Sequence, residues 1–288
     1  MKKKKTGIVI TCVILVVLLI SAGIVLIRNH HRQSVYREAV AMANAGDNAR
    51  AYAAFCGLGS YRDSKEQAEA LLRLDPLAAV RNLRKGDYAT FGRWEQDDDA
   101  QNGPEPLDWL VLDRVDDRLL LLSESCLECR AYDGEAFVPV TWEDCDLRAW
   151  LNDEFLNGAF NDDERAYIPA VKNENRDHSQ LGTEGGNDTE DRVFLLSETD
   201  TVIYLSDDID REAIGKSEAS AHAVAQGIQT DEEGHASWWL RSPGTYEYIA
   251  QFVDQQGQPY PNGANVDIDY LFGVRPAIWL DVSGEVAS

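Results

Sequence analysis

Acid is missing from the start of this chain, and base is scarce in all the rest. Residues 1–32 hold six of the 27 Lys and Arg and no Asp or Glu. The other 256 residues hold 21 basic and 50 acidic groups, net −29. A surface so acidic repels nucleic acid and anionic lipid headgroups, so no nucleic-acid partner is expected. It suits cations or basic partners, or serves as a solvated face that resists aggregation. Cysteine is scarce too: five occur, at 12, 56, 126, 129 and 145. Cys12 lies in an apolar segment, and the other four allow three pairings that sequence does not choose between. Cys126-x-x-Cys129 has no second CxxC or nearby His to complete a four-ligand zinc site. A disulfide or plain thiols remain for Cys56, Cys126, Cys129 and Cys145. The hydrolase signatures G-x-S-x-G, S-x-x-K and H-E-x-x-H are missing. His178, His222 and His235 are isolated, which suits structural or exposed roles. The 50 acids leave room for a catalytic carboxylate pair without singling one out.

What is present reads as globular. Hydrophobic residues make up 44% and charged ones 27% of 288 residues, enough for one large or two smaller domains. Gly7 to Ile27 carries no charge. As a helix it spans about 31 Å, the thickness of a bilayer core. Four lysines precede it, and Arg28 and Arg32 follow. Residues 1–6 are therefore expected as a cytoplasmic tail, 7–27 as a transmembrane helix, and the acidic remainder outside the cell membrane. A cleaved signal peptide competes, but its apolar core is usually shorter. In residues 34–75, Tyr36, Ala39, Val40 and Ala43 mark a helical face ending at Gly46. A second helix stops at Gly57-Leu58-Gly59, and Ser64-Lys65-Glu66-Gln67 fits a capping box for a third. This helical stalk is similar to a tetratricopeptide hairpin, though of only about one and a half repeats.

After Asp75-Pro76 the pattern changes. Residues 87–94 read as a strand, and 107–112 with 118–122 as a pair around Asp116-Asp117. Thr141-Trp142-Glu143-Asp144 fits a capping box before a helix with Leu147, Trp150, Leu151 and Phe155 on one face. Asn161 to Glu164 caps a shorter one. Residues 172–191 form a long polar loop. Arg192–Ser197 reads as a buried strand, and 198–205 and 218–225 as helices.

The last fifty residues organise the chain. Trp238-Trp239-Leu240-Arg241-Ser242-Pro243-Gly244 is followed by a hairpin signal at Gln256-Gly257-Gln258, then by Gly273-Val274-Arg275-Pro276-Ala277-Ile278-Trp279-Leu280. The proline places the final strand at an edge or beyond Pro276. These two motifs resemble the ending of a bacterial family of domains of unknown function, over about residues 84–282. That family is similar to formylglycine-generating enzymes and C-type lectins. The resemblance implies an α+β fold, lectin-like or sulfatase-modifying-factor-like, after the stalk and transmembrane helix. It does not imply the enzyme's cysteine chemistry, since no cysteine follows Cys145. Nor does it imply lectin calcium ligands: Gln258-Pro259-Tyr260 lacks the acid. Asp267 and Asp269 could still offer hard oxygens to Ca2+, or be a solvated face. Arg241 and Arg275 suit holding loop carbonyls or buried acids, or contacting a ligand beside Trp238, Trp239 and Tyr270.

Three functions follow as expectations. The first is a membrane-anchored extracellular module binding a cell-envelope glycan or protein, not an enzyme. The second is an envelope hydrolase with cleft acids near Asp267 and Asp269. The third is a structural or sensory ectodomain.

Overall fold

The computed structural model describes residues 2–206, 208–268 and 272–284, with no account of the side chains of 2–22 and 209. The chain divides into two compact units, Met1–Ala79 and Val80–Ser288.

The first unit has three helices: α1 (Lys2–Asn44), α2 (Asn48–Leu58) and α3 (Ser64–Leu74). Ala39, Ala51, Phe55, Leu58, Ala68 and Leu71 form its core. Three of these are alanines, Ala39, Ala51 and Ala68, which leave room for Phe55, Leu58 and Leu71 between the helices. Gly46, at φ +79°, ends the first turn, where an L side chain would be strained. The third helix begins one residue away from the expected cap. Asp63 is its cap residue, and Gln67 Nε2 donates to Asp63 Oδ2 at 3.0 Å. Ser64 instead donates its hydroxyl to Tyr61 O. Most of the expected transmembrane segment 7–27 falls on residues whose side chains lie outside the description. Among the described residues no helix is long and apolar enough to cross a membrane.

The second unit is mixed α and β. Its strands are β1 (Tyr88–Trp94), β2 (Glu105–Val115), β3 (Arg118–Ser123), β4 (Glu128–Cys129), β5 (Val171–Asn173), β6 (Thr189–Asp191), β7 (Val193–Phe194), β8 (Ser237–Pro243), β9 (Ile249–Val253), β10 (Pro259–Asn265), β11 (Phe272–Val274) and β12 (Ala277–Asp281). One sheet has the order β1-β2-β3-β12-β7, a second β10-β9-β8-β11-β4, and β5 pairs with β6. The run Leu119–Leu122 in β3 is buried without alternation, the pattern of a strand covered on both faces. β12 lies beside it in antiparallel register, from Ala277↔Leu122 to Asp281↔Arg118. The final strand therefore starts beyond Pro276 and is central, not an edge. The hairpin β9–β10 closes through Asp254–Gln258, with Gly257 at φ +77°.

The helix expected from Thr141 begins at Asp146. Cys145 is its cap, with Sγ accepting from Arg148 N at 3.4 Å, and Thr141–Asp144 form a turn. Its apolar face packs as the spacing predicts, with Leu147, Trp150, Leu151 and Phe155 all buried, although a π turn occupies Leu151–Phe155. Asn161 and Glu164 make both halves of their capping box. The polar segment after Lys172 is a hairpin whose tip is tied down by His178 Nε2 against Pro261 O, at 3.1 Å.

Candidate functional site

The chain crosses from one sheet to the other at Arg275-Pro276. β11 lies parallel to β8 in the second sheet, and two residues later β12 joins the first. Gly273 is required there by close packing, since a Cβ would sit 2.6 Å from Cys126 Cβ. Arg275 holds this crossing. It is 2% exposed. Its Nε donates to Ser123 O at 2.8 Å, Nη2 to Glu124 O at 3.2 Å, and Nη1 to Ile214 O. The guanidinium lies 5.2 Å from the Trp238 ring centroid. Among the described residues no carboxylate pairs with it. Burial pushes the guanidinium down to about 10.

Arg241 has a different set of partners. Its Nη1 donates to Leu195 O at 2.6 Å and to Asp200 Oδ2 at 2.9 Å. Asp200 also closes the capping box of the helix Glu198–Tyr204. So both motif arginines tie a strand end to a neighbouring loop, as carbonyl-holding residues do.

The tryptophans are not a stacking platform. Trp238 and Trp239 are fully buried. Their indole N–H groups donate to Gly215 O at 2.8 Å and Arg130 O at 3.0 Å. Trp239 packs on Phe272 and Tyr132. Their size and hydrophobicity drew them into the core, which removes the expected ligand faces. Tyr270 and Asp269 lie outside the described residues. Asp267 has a buried Oδ1 with no hydrogen-bond partner.

What the structure does bring together is a cavity at the crossing. It measures about 360 Å³ and is lined by Tyr88, Glu124, Lys216, Ser217, His235 and Arg275, with Glu212 and Glu218 beside them. Its walls come from the turn after β3 and the segment 212–218. Ser217 Oγ donates to Glu124 O at 3.0 Å, and Cys126 N to Glu218 O at 2.9 Å, which stitches the two walls together. Of these residues the sequence motifs pointed only to Arg275. His235 carries a local signal that could have been read: Asp231 and Glu233 precede it by four and two residues. His235 Nδ1 lies 3.1 Å from Asp231 Oδ2 and 3.6 Å from Glu233 Oε2. These three, and separately Glu95, Asp97 and Glu105, lie close enough together to share a cation; neither group includes Asp267.

Thiol chemistry is not poised here. Cys126 and Cys145 are buried thiols. Burial pushes Cys126 up to about 11 and Cys145 up to about 12. A nucleophilic thiolate needs the opposite shift.

A family model described as a domain of unknown function (DUF6273) matches residues 116–282, more than half of the chain. The chain belongs to this family. No curated protein and no solved structure matches it. The DUF6273 match starts in the turn between β2 and β3 and runs through both motifs. The folded unit is larger than the match, because β1 and β2 complete the first sheet beside β3. Trp109 of β2 is fully buried and donates to Phe91 O at 2.7 Å.

Proposed function

We propose that this protein is a membrane-anchored binding module, with its DUF6273 domain outside the cell and the Arg275 cavity taking a polar, hydroxyl-rich ligand of the cell envelope. The observation that carries this is the mixed lining of the cavity. Lys216 offers donors, the glutamates and the committed Ser217 hydroxyl offer acceptors, the Tyr88 hydroxyl offers both, and His235 presents the ring edge not engaged by Asp231. Its volume suits a small polar group such as a sugar unit. The anchor and its orientation rest on the apolar run 7–27 and its flanking bases. The lectin-like relationship, with a tetratricopeptide-like stalk, belongs to the same proposal. It is supported by two sheets that exchange strands at Arg275-Pro276 and by the return of the last strand beside β3.

The test is thermal melting of the full chain with cell-wall oligosaccharides. A ligand at 100 times its Kd adds about 2.7 kcal/mol. That rise should vanish in Lys216→Ala and His235→Ala. If no wall fragment shifts the melt, or the shift survives both changes, the reading fails. A captured protein that needs the same two residues would replace the glycan as ligand. Hydrolysis is the second reading, because Glu124, Glu212 and Glu218 line the same cavity. Cleavage products in the mixture, lost with a glutamate-to-glutamine change, would establish it. Calcium enters through the partnerless oxygen of Asp267. A melt raised by calcium in the parent and not in Asp267→Asn would place an ion there.

A further inference from the structure

A second cavity, of about 400 Å³, lies between the helix Glu198–Tyr204 and the hairpin β9–β10 and shares no lining residue with the first. Its apolar walls are Val202, Leu205, Pro259 and Pro261. Its polar groups are Gln251, Glu198 and Thr201, with Ser206 beside them. Gln251 has no exposed surface. Its Nε2 donates to Glu198 Oε2 at 3.2 Å and to Pro243 O at 2.9 Å. Both amide hydrogens are therefore used. The amide cannot be reversed either, since that would set its oxygen against two acceptors. Gln251 Oε1 is left without a partner.

Glu198 is similarly short of positive charge. Its carboxylate accepts from Ser179 Oγ, from Ser179 N at 3.4 Å and from Gln251, all neutral. Among the described residues no Lys or Arg lies at ion-pair distance from it. Thr201 gives its hydroxyl hydrogen to Glu198 O at 2.8 Å, so it too has only lone pairs to offer. Glu198, Gln251 and Thr201 thus present acceptors alone, inside aliphatic walls. The matching group carries several N–H donors and a positive charge on an apolar stem. An ammonium has three donors and no acceptor. The acidic surface also draws cations toward the site.

We propose that this second cavity binds an alkylammonium group, with the ammonium at Glu198 and Gln251 and the stem against Val202, Leu205, Pro259 and Pro261. The group could belong to a free amine or to a lysine-type side chain. The experiment is calorimetric and NMR titration of the full chain with butylamine, N-acetyl-lysine methylamide and 1-pentanol. Butylamine should bind, shifting amide signals of 198–206, 251 and 260, while pentanol does not. Binding of butylamine alone assigns a free amine; binding of both assigns a lysine-type residue. Glu198→Gln should weaken binding at least about tenfold, because it removes the charge and keeps the shape. Thr201→Val, which loses only a hydroxyl, should weaken it a few-fold and serves if Glu198→Gln fails to fold. Lys216→Ala should leave amine binding unchanged, which separates this result from the Arg275 cavity. Equal affinity for pentanol and butylamine, or unchanged amine binding in both cavity variants, would overturn the proposal.

Discussion

Arg241 and Arg275 occupy similar stretches of sequence, each shortly before a proline, and the fold uses them in different ways. Arg241 sits in an ion pair: its charge faces Asp200, and the two could in principle be removed together. Arg275 is held by three backbone carbonyls, from Ser123, Glu124 and Ile214, with the Trp238 ring beside it and, among the described residues, no ion pair. A charge kept by side chains can be redesigned by editing those side chains. A charge kept by carbonyls fixes the backbone itself, because no substitution removes the acceptors. The difference explains why the cavity forms at Arg275. Pinning those three carbonyls sets the walls of the turn after β3 and of the segment 212–218. At Arg241 the same residue type closes a strand end and a helix cap, and the nearby cavity owes its polarity to Gln251 and Glu198 instead.

The largest expected effect is at Arg275. Arg275→Met should take this donor from the inward carbonyls of Ser123 and Ile214, with Glu124 O still held by Ser217 Oγ, and cost about 3–5 kcal/mol in urea unfolding. Arg275→Lys should recover little, since a compact ammonium cannot reach three acceptors in the guanidinium's fork. Arg241→Met should cost less, about 2–3 kcal/mol, with Asp200 left partly buried and still capped by Ser197. The contrast sharpens in the double change. Arg241→Met with Asp200→Asn should be more stable than the two single costs added together, because both charges leave at once. If the two changes simply add, Arg241 is held mainly by Leu195 O and the contrast with Arg275 collapses.

Local pattern carried much of this architecture. The unbroken leucines of β3, the Gly257 hairpin, the Asn161 capping box and the apolar face from Leu147 to Phe155 are short-range signals, and each appears where its spacing points. Pro276 correctly placed the last strand beyond itself. The two arginines read as holders of loop carbonyls or buried acids, or as ligand contacts; both hold carbonyls, and Arg241 an acid as well. What failed was long-range or depended on an unusual group. The helix start at Asp146 relies on a thiolate-free sulfur, Cys145, as acceptor, which no capping rule foretells. Residues 218–220 read as helix, but Glu218 bridges to His235 and Ala219 to Cys126. The helix begins only at Ala221, capped by Ser220. The tryptophans looked like ligand faces because sequence shows aromatic content and not burial. The two cavities were invisible for one reason: each is assembled from segments tens to hundreds of residues apart, with no common period.

The smallest expected effect concerns the two buried thiols, and it carries the arginine comparison into titration. Burial raises both, and their neighbours separate them. The Ser217 hydroxyl and then the Arg275 cation act downward on Cys126, which reaches about 11, whereas at Cys145 the Arg148 N–H and the Tyr132 hydroxyl act downward and the Asp133 carboxylate upward, and it reaches about 12. Both values lie above the ordinary 9.0 of the unfolded chain. Each thiol therefore adds stability that is fully present below about pH 9 and lost as pH rises toward 11 or 12. By pH 10 the loss should be about 1 kcal/mol for each thiol. Above about 10 the Arg275 guanidinium acts in the opposite direction, since its folded value is depressed and the unfolded chain binds the extra proton. Tyr52, Tyr132 and Tyr204 are raised above their ordinary 10.0 as well and add to the loss as pH nears 10, so the thiols are read from urea unfolding between about pH 8 and 9.5. Cys126→Ala and Cys145→Ala should each flatten that slope, by similar amounts. In the native state at pH 8, the exposed Cys56 should react with a thiol reagent while Cys126 and Cys145 resist. Rapid modification of Cys126 would mean that the close packing of Cys126 against Gly273 opens, and that the carbonyls around Arg275 do not hold the crossing shut.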